Sequence, residues 1–201
     1  MKKIVILISG RGSNMQAIVQ ASQVEKWSAS IAAVISNKAN AAGLEYAAKA
    51  GVPTAVVESR GLARDEFDAM LQKTIDQYQP DLVVLAGFMR ILTPAFVQHY
   101  ENRIINIHPS LLPSFVGLHT HQQALDAGVK YHGATVHFVT AELDHGPIID
   151  QAIIQIEAQD TEDSLADKLL IEEHKMYPRV VRWFIEDRLN IEGNRVHLRV
   201  L

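Results

Sequence analysis

Five consecutive aliphatic residues, Ile4-Val-Ile-Leu-Ile8, run straight into a glycine-rich turn, Ser9-Gly-Arg-Gly-Ser-Asn14. A strand with one wet face alternates polar and apolar residues, and this one has no polar face at all. Such a strand belongs inside a parallel sheet covered on both sides. The pattern returns at Asp81-Leu-Val-Val-Leu-Ala86, and further strands are predicted at Ile31–Ile35 and Thr54–Val57. Helical stretches lie between them: Met15–Val24, Ala41–Ala50 closed by Gly51, and Arg64–Tyr78 with Phe67, Met70, Leu71 and Ile75 on one side. Thr93-Pro94 starts another helix, with threonine as N-cap and proline at the first helical position. Strands alternating with helices imply parallel pairing and right-handed crossovers. The fold class is therefore read as α/β and Rossmann-like, a mostly parallel central sheet with helices on both faces.

The C-terminal part departs from that alternation. After a helix at about His119–Ala127, Gly133–Thr140 and Ile148–Ile156 read as strands. The loop between them, Ala141–Pro147, is short, so antiparallel pairing is expected. Thr161-Glu-Asp163 opens a long helix whose buried stripe is Leu165, Leu169, Tyr177, Val181 and Phe184. Pro178 is expected to kink or break it. Glu173-His174 lie on this helix, and a solvated face is the plain expectation there. Leu189–Leu198 reads as a terminal hairpin around Glu192-Gly-Asn194. With 201 residues and no repeat, low-complexity segment or clear linker, one domain is expected over 1–201, with halves at about 1–100 and 101–201.

In parallel sheets, ligands bind beyond the carboxyl ends of the strands. Three loops sit at such ends: Ser9–Asn14, Gly87–Leu92 and His108–Leu118. In the first, a strand, a glycine-rich turn and a helix N-terminus make a ready anion site. Ser13 and Asn14 can donate from their side chains or cap the helix. Met15 stands where a dinucleotide fingerprint has its last glycine, and the Walker A lysine is missing. A phosphate monoester therefore fits better than a dinucleotide or a nucleoside triphosphate, with a plain tight turn as the alternative.

The segment Arg103-Ile-Ile-Asn-Ile-His-Pro109 is a short strand stopped by proline. Asn106 and His108 are two residues apart, so on a strand they point to the same face. An amide donor and an imidazole there suit acyl transfer, one stabilising an oxyanion and the other managing protons. The alternative is two incidental polar residues before a proline loop. Asp144, ahead of Gly146-Pro147, would face His108 and hold its imidazole if functional, and is otherwise an ordinary turn aspartate. His108, His119, His121, His132 and His137 cluster in sequence, but their spacing matches no zinc motif, and no metal is expected.

A net charge of −4 argues against a nucleic-acid partner, which needs a basic surface. Cysteine is absent, which removes disulfides and thiolate chemistry. Lys2-Lys3 before an apolar run superficially suggests a signal peptide, but the run is too short and flows into the glycine turn. No run approaches the length of a membrane span. A cytoplasmic protein that binds no membrane is the expectation.

Four stretches then carry a resemblance over nearly the whole chain: Ser-Gly-x-Gly-Ser-Asn at 9–14, Leu-Ala-Gly-Phe-Met-Arg-Ile-Leu at 85–92, Asn-Ile-His-Pro-Ser-Leu-Leu-Pro at 106–113, and Val-His-Phe-Val-Thr-x-Glu-Leu-Asp-x-Gly-Pro at 136–147. The chain resembles the phosphoribosylglycinamide formyltransferases, folate-dependent enzymes of purine synthesis. The resemblance implies their formyltransferase fold, with formyl transfer from 10-formyltetrahydrofolate to the amine of 5′-phosphoribosylglycinamide, without a metal. It implies Asn106, His108 and Asp144 as catalytic residues. Arg11, Gly12, Ser13, Asn14, Pro109 and Glu173 would serve the substrate. Arg64, Met89, Arg90, Ile91, Leu92, Asn106 and the Thr140-Ala141-Glu142-Leu143-Asp144 loop would serve the folate. The N-terminal half would then bind the phosphosugar and the C-terminal half carry catalysis and folate, in a monomer or homodimer acting on small molecules. Val116 and Leu170 depart from the pattern, where relatives often have proline and a long polar residue.

Two relatives share the trio. Formyltetrahydrofolate deformylase transfers to water and resembles a longer chain with an N-terminal regulatory domain. Methionyl-tRNA formyltransferase adds a C-terminal domain and binds a polyanion. A different class is a non-catalytic phosphosugar-binding protein, for which the trio would be superfluous.

Overall fold

The structure is a computed structural model and describes residues 1–199. The chain divides into two compact units, Met1–Asn106 and the residues from Ile107 on.

In the first unit the strands are β1 (Lys2–Ile8), β2 (Ala29–Ser36), β3 (Thr54–Val56), β4 (Leu82–Leu85) and β5 (Ile104–His108), which carries the chain into the second unit. Their order is β3-β2-β1-β4-β5, and every pairing is parallel. The expected alternation supplies the crossovers: α1 (Ser13–Val24), α2 (Ala42–Lys49), α3 (Arg64–Asp76) and α4 (Pro94–His99). Ile4, Val5, Ile6, Leu7 and Ile8 are all fully buried, so β1 is covered on both faces, as its unbroken apolar run requires. Each such side chain contributes roughly 1.5–3 kcal/mol. Thr93 caps α4 by accepting from the Phe96 N–H at 3.2 Å. On α3, Phe67, Leu71 and Ile75 are buried, but Met70 is half exposed, which corrects its place on the apolar side. The stripe at spacing four (67, 71, 75) already faces the core, and Met70 falls on its flank.

The second unit contains α5 (Thr120–Asp126), β6 (Tyr131–Phe138), β7 (Ile148–Gln155), α6 (Glu162–Ile185), β8 (Leu189–Glu192) and β9 (Arg195–Leu198). The strand order is β6-β7-β9-β8. β6 and β7 pair antiparallel, with Gly133 opposite Ile153, and β8 and β9 form the terminal hairpin. α6 packs on β6 and β7. It runs unbroken through Pro178, contrary to expectation. Proline removes one backbone donor, but Met176, Tyr177, Val180 and Val181 on either side are at most 1% exposed, and their packing holds both halves in one helix. Phe184 is only half-buried, at the C-terminal end of the stripe.

Candidate active site

At the carboxyl ends of β1 and β4 the first unit builds a cleft of about 210 Å³, lined by residues 9–14 with Ala86, Gly87 and Met89. Pockets for whole drug-sized ligands run to roughly 300–1,000 Å³, so this cleft takes one group of a larger molecule. Gly12 is the N-cap of α1, in the left-handed region at φ 65° and ψ 39°. Of the two roles open to Ser13 and Asn14, donation or capping, capping falls away: both are already helical, and no side chain caps the helix. Nor is there an acid in its first turn, so the positive end of the helix dipole is left for an incoming anion. Arg11 is exposed beside it and Asn14 is buried.

A side chain at Gly12 would not enter the cleft. Its Cβ would point inward, 3.1 Å from Met15 Cε and 3.5 Å from Ile8. The loop is backed from behind by Gly43 of α2, whose N–H donates to Gly10 O at 3.0 Å. A Cβ on Gly43 would lie 3.1 Å from Arg11 O and 3.2 Å from Gly10 O. Sequence reasoning passed over Gly43, although a glycine inside a short helix signals a close backbone approach.

The loop after β4 carries Met89 and Ile91 exposed and Leu92 buried. Arg90 stacks its guanidinium over the Phe67 ring at 5.2 Å. Arg64, the first residue of α3, is exposed.

In the second unit, His108 ends β5 and Pro109 follows, half-buried. His108 Nδ1 lies 3.5 Å from Asp144 Oδ2, and both side chains are under a tenth exposed. His108 Nε2 donates to the Phe115 carbonyl at 3.0 Å, and the Gly117 N–H donates to Asp144 Oδ2 at 3.2 Å. The segment after Pro109 thus closes a ring of contacts around the pair. Phe115 and Gly117 take part through backbone atoms, which no side-chain pattern announces. Ser110 and Leu112 anchor the segment: Thr135 Oγ1 donates to Ser110 O at 2.7 Å and accepts from the Leu112 N–H at 3.0 Å. Asn106 lies two residues before His108 on the same strand, at the end of the first unit.

Asp144 adopts φ 52°, a left-handed conformation that aspartate tolerates. Gly146 is buried against β6, where a Cβ would lie 1.6 Å from Phe138 O, so only glycine closes this turn. Thr140 is half-buried, while Ala141, Glu142 and Leu143 are exposed at the loop tip. Glu173 is buried at 8% exposure, which corrects the solvated-face expectation. The signal was present: 165, 169, 173, 177 and 181 are spaced four apart along one helical stripe. Leu170 is half-buried and Val116 is exposed.

The histidine cluster separates into distinct pairings. His121 Nδ1 lies 3.1 Å from His132 Nε2, and His119 lies 3.5 Å from Glu162. His137 is buried, its Nδ1 donating to Phe138 O at 2.9 Å. Among the described residues no three His, Asp or Glu side chains gather where they could hold a metal. Burial pushes His132 down to about 4, with the neighbouring His121 and His108 adding repulsion. Burial lowers His121 and His137 as well.

These groups fold neutral, while the unfolded chain binds their protons near the ordinary histidine value of about 6.5. Their contribution is thus fully present above that pH and is lost as pH falls through their lowered folded values, about 4 for His132. His132 alone should cost roughly 2 kcal/mol between pH 6.5 and 5. Urea denaturation at the two pH values checks this: His132→Gln should flatten the dependence, and an unchanged slope would refute the assignment.

The geometry can be set beside known proteins. The model of the formyl transferase family matches residues 2–181. Phosphoribosylglycinamide formyltransferase of Escherichia coli (strain K12) is 52% identical over 196 residues, covering 97% of this chain and 92% of that one. The solved glycinamide ribonucleotide transformylase 1 of Symbiobacterium toebii superposes with a TM-score of 0.95 at 46% identity, covering 98% of this chain and 94% of that one. A formyltetrahydrofolate deformylase from Pseudomonas syringae reaches a TM-score of 0.92 at 31% identity, with 98% of this chain matched to 65% of that one.

Proposed function

The chain belongs to the formyl transferase family, and from that premise we infer its reaction: it transfers the formyl group of 10-formyltetrahydrofolate to the amine of 5′-phosphoribosylglycinamide. The products are formylglycinamide ribonucleotide and tetrahydrofolate, in de novo purine biosynthesis. The folate is a co-substrate, consumed in each turnover.

The buried His108–Asp144 pair at the end of β5 carries this reading at the level of chemistry. The amine nitrogen attacks the formyl carbon, and the carbonyl oxygen becomes an oxyanion. We propose that the Asn106 amide and the protonated His108 ring stabilise it, each donor supplying about 3–4 kcal/mol in a preorganised site. Nε2 already donates to the Phe115 carbonyl, an oxygen acceptor of the same polarity as the formyl oxygen that would replace it. Asp144 holds the ring from Nδ1. Collapse breaks the bond from carbon to folate N10, and the proton lost by the amine passes to N10 through His108 or water. No covalent enzyme intermediate is needed.

In this reading the cleft at 9–14 takes the phosphate, with Arg11, Gly12, Ser13 and Asn14 around it, while Pro109 and Glu173 serve the rest of the substrate. The residues given to the folate are Arg64, the 89–92 loop, Asn106 and the 140–144 loop. The first unit is then mainly the phosphosugar-binding half, and the second mainly catalytic and folate-binding. We further propose that the protein works in the cytoplasm as a monomer or homodimer, with no nucleic acid or membrane as partner. The net charge of −4 argues against a nucleic-acid partner. Among the described residues no helix is long and apolar enough to cross a membrane.

Purified protein with 10-formyltetrahydrofolate should release tetrahydrofolate rapidly only when phosphoribosylglycinamide is added. Equal release without the acceptor would mark a deformylase. Tight phosphosugar binding with no release would mark a binding protein.

A further inference from the structure

Ser9 is 5% exposed at the end of β1, where it borders the 9–14 cleft but is given no ligand contact of its own above. Its hydroxyl donates to Asn37 Oδ1 at 2.6 Å and accepts from the Met89 N–H at 2.7 Å. Asn37, 4% exposed just after β2, passes the chain on, its Nδ2 donating to Ser59 Oγ at 3.0 Å. The Ser59 N–H returns to the Asn37 carbonyl at 3.3 Å, and the Ser9 N–H donates to Gly87 O at 3.2 Å. The four residues Ser59, Asn37, Ser9 and Met89 follow β3, β2, β1 and β4, the spatial order of those strands. A hydrogen-bonded rail therefore crosses the carboxyl edge of the parallel sheet. The links run Met89 N–H to Ser9 Oγ, Ser9 Oγ–H to Asn37 Oδ1 and Asn37 Nδ2–H to Ser59 Oγ, and such chains polarise and stiffen their members.

Two loops with different ligands meet on this rail. The 9–14 turn begins at Ser9, and the 87–92 loop is fastened to it through the Met89 N–H. Further anchors of the 87–92 loop come from α3: Asp68 Oδ2 accepts from the Thr93 N–H at 2.6 Å, and Phe67 stacks on Phe88 at 6.3 Å. Met89 itself is 63% exposed, so little packing holds its backbone. The Ser9 hydroxyl is the acceptor of its N–H.

We propose that Ser9, oriented by Asn37, is a positioning residue that sets the folate-binding loop at Met89 from the base of the phosphate turn. This rests on the assignment above of residues 9–14 to the phosphosugar and 89–92 to the folate. Ser9→Ala leaves the Met89 N–H without its acceptor and lets the loop drift. Asn37→Ala leaves Met89 its acceptor but frees the hydroxyl to rotate, a smaller fault of the same kind.

Steady-state kinetics with both substrates varied, alongside hydrogen–deuterium exchange of the 87–92 segment, tests this. Ser9→Ala should raise the KM for 10-formyltetrahydrofolate about five- to tenfold, as loss of one hydrogen bond to a ligand-bearing loop predicts. That rise should exceed any rise in the phosphoribosylglycinamide KM at least threefold. Asn37→Ala should raise the folate KM about two- to threefold with kcat unchanged, and the double variant should be no worse than Ser9→Ala. Exchange at 87–92 should quicken in Ser9→Ala. Unchanged folate KM and exchange in Ser9→Ala would overturn the proposal. Equal rises in both KM values would also overturn it, since they would mean general loosening. If quickened exchange at 87–92 accompanies a rise in the phosphoribosylglycinamide KM alone, the rail stands as a structural device but the ligand assignment of the loop falls, and the proposal with it. Wild-type protein with no turnover on phosphoribosylglycinamide would remove the functional reading itself.

Discussion

His108→Ala is expected to lower kcat by about 10³-fold or more while the protein still folds, with a lowered melting point because the Phe115 carbonyl loses its donor. Two roles disappear with the imidazole. Loss of an oxyanion donor costs about 10²–10³ in rate, and loss of a proton-transfer group about 10²–10⁴. The roles share one transition state, so the losses do not multiply in full. Asp144→Asn should cost less, about 10²-fold. The amide oxygen can still accept from the Gly117 N–H, which keeps the loop in place, but it no longer balances positive charge on the ring 3.5 Å away. Because Asp144 acts through His108, the double variant should be about as slow as His108→Ala alone. Single-turnover rates measured with circular dichroism and melting curves decide the matter. Near-normal turnover in either folded variant, or fully additive losses, would contradict the assignment.

How much of this was legible beforehand differs between the fold and the site. The unbroken apolar run at 4–8 demanded a strand covered on both faces, and the parallel order around β1 follows from it. The short connection at 141–147 announced the antiparallel β6–β7 pair. Pro178 misled because local propensity was weighed without the packed side chains flanking it. Met70 and Glu173 were misplaced for one reason: their polarity was read before their angular position on the helix. Asn106, His108 and Asp144 could be marked from residue chemistry, but the resemblance had to connect them, since Asp144 lies 36 positions after His108. The Phe115 carbonyl, the Gly117 N–H and the Ser9 rail were out of reach. They depend on where backbone atoms fall once loops are closed, and a residue's type says nothing about that.

Glycine geometry makes the second large effect. Gly12→Val should weaken phosphoribosylglycinamide binding by about 30-fold or more, and the cause is conformational rather than a plug in the cleft. At φ 65° and ψ 39° a residue with a Cβ pays roughly 1–2 kcal/mol, and β-branching adds to it. The inward Cβ also presses Met15 at 3.1 Å, whose thioether has no exposed side to move toward. The turn therefore relaxes away from the shape that presents the first N–H groups of α1. Asn tolerates the left-handed region, so Gly12→Asn should lose less than Gly12→Val. Gly43→Ala approaches the same loop from behind and carries no positive-φ penalty. Its Cβ needs Ile8 Cδ1, 2.6 Å away, to swing aside and the Gly10 and Arg11 carbonyls to yield by a few tenths of an ångström. A three- to tenfold loss is expected there, about 0.7–1.4 kcal/mol by the affinity relation. Titration calorimetry with phosphoribosylglycinamide, and with the dephosphorylated nucleoside as control, reads all three variants. The losses should appear with the phosphorylated ligand and vanish with the nucleoside, because only the phosphate uses the turn. Equal losses on both ligands would move the phosphate site elsewhere, and wild-type affinity in Gly12→Val would remove the turn from binding altogether.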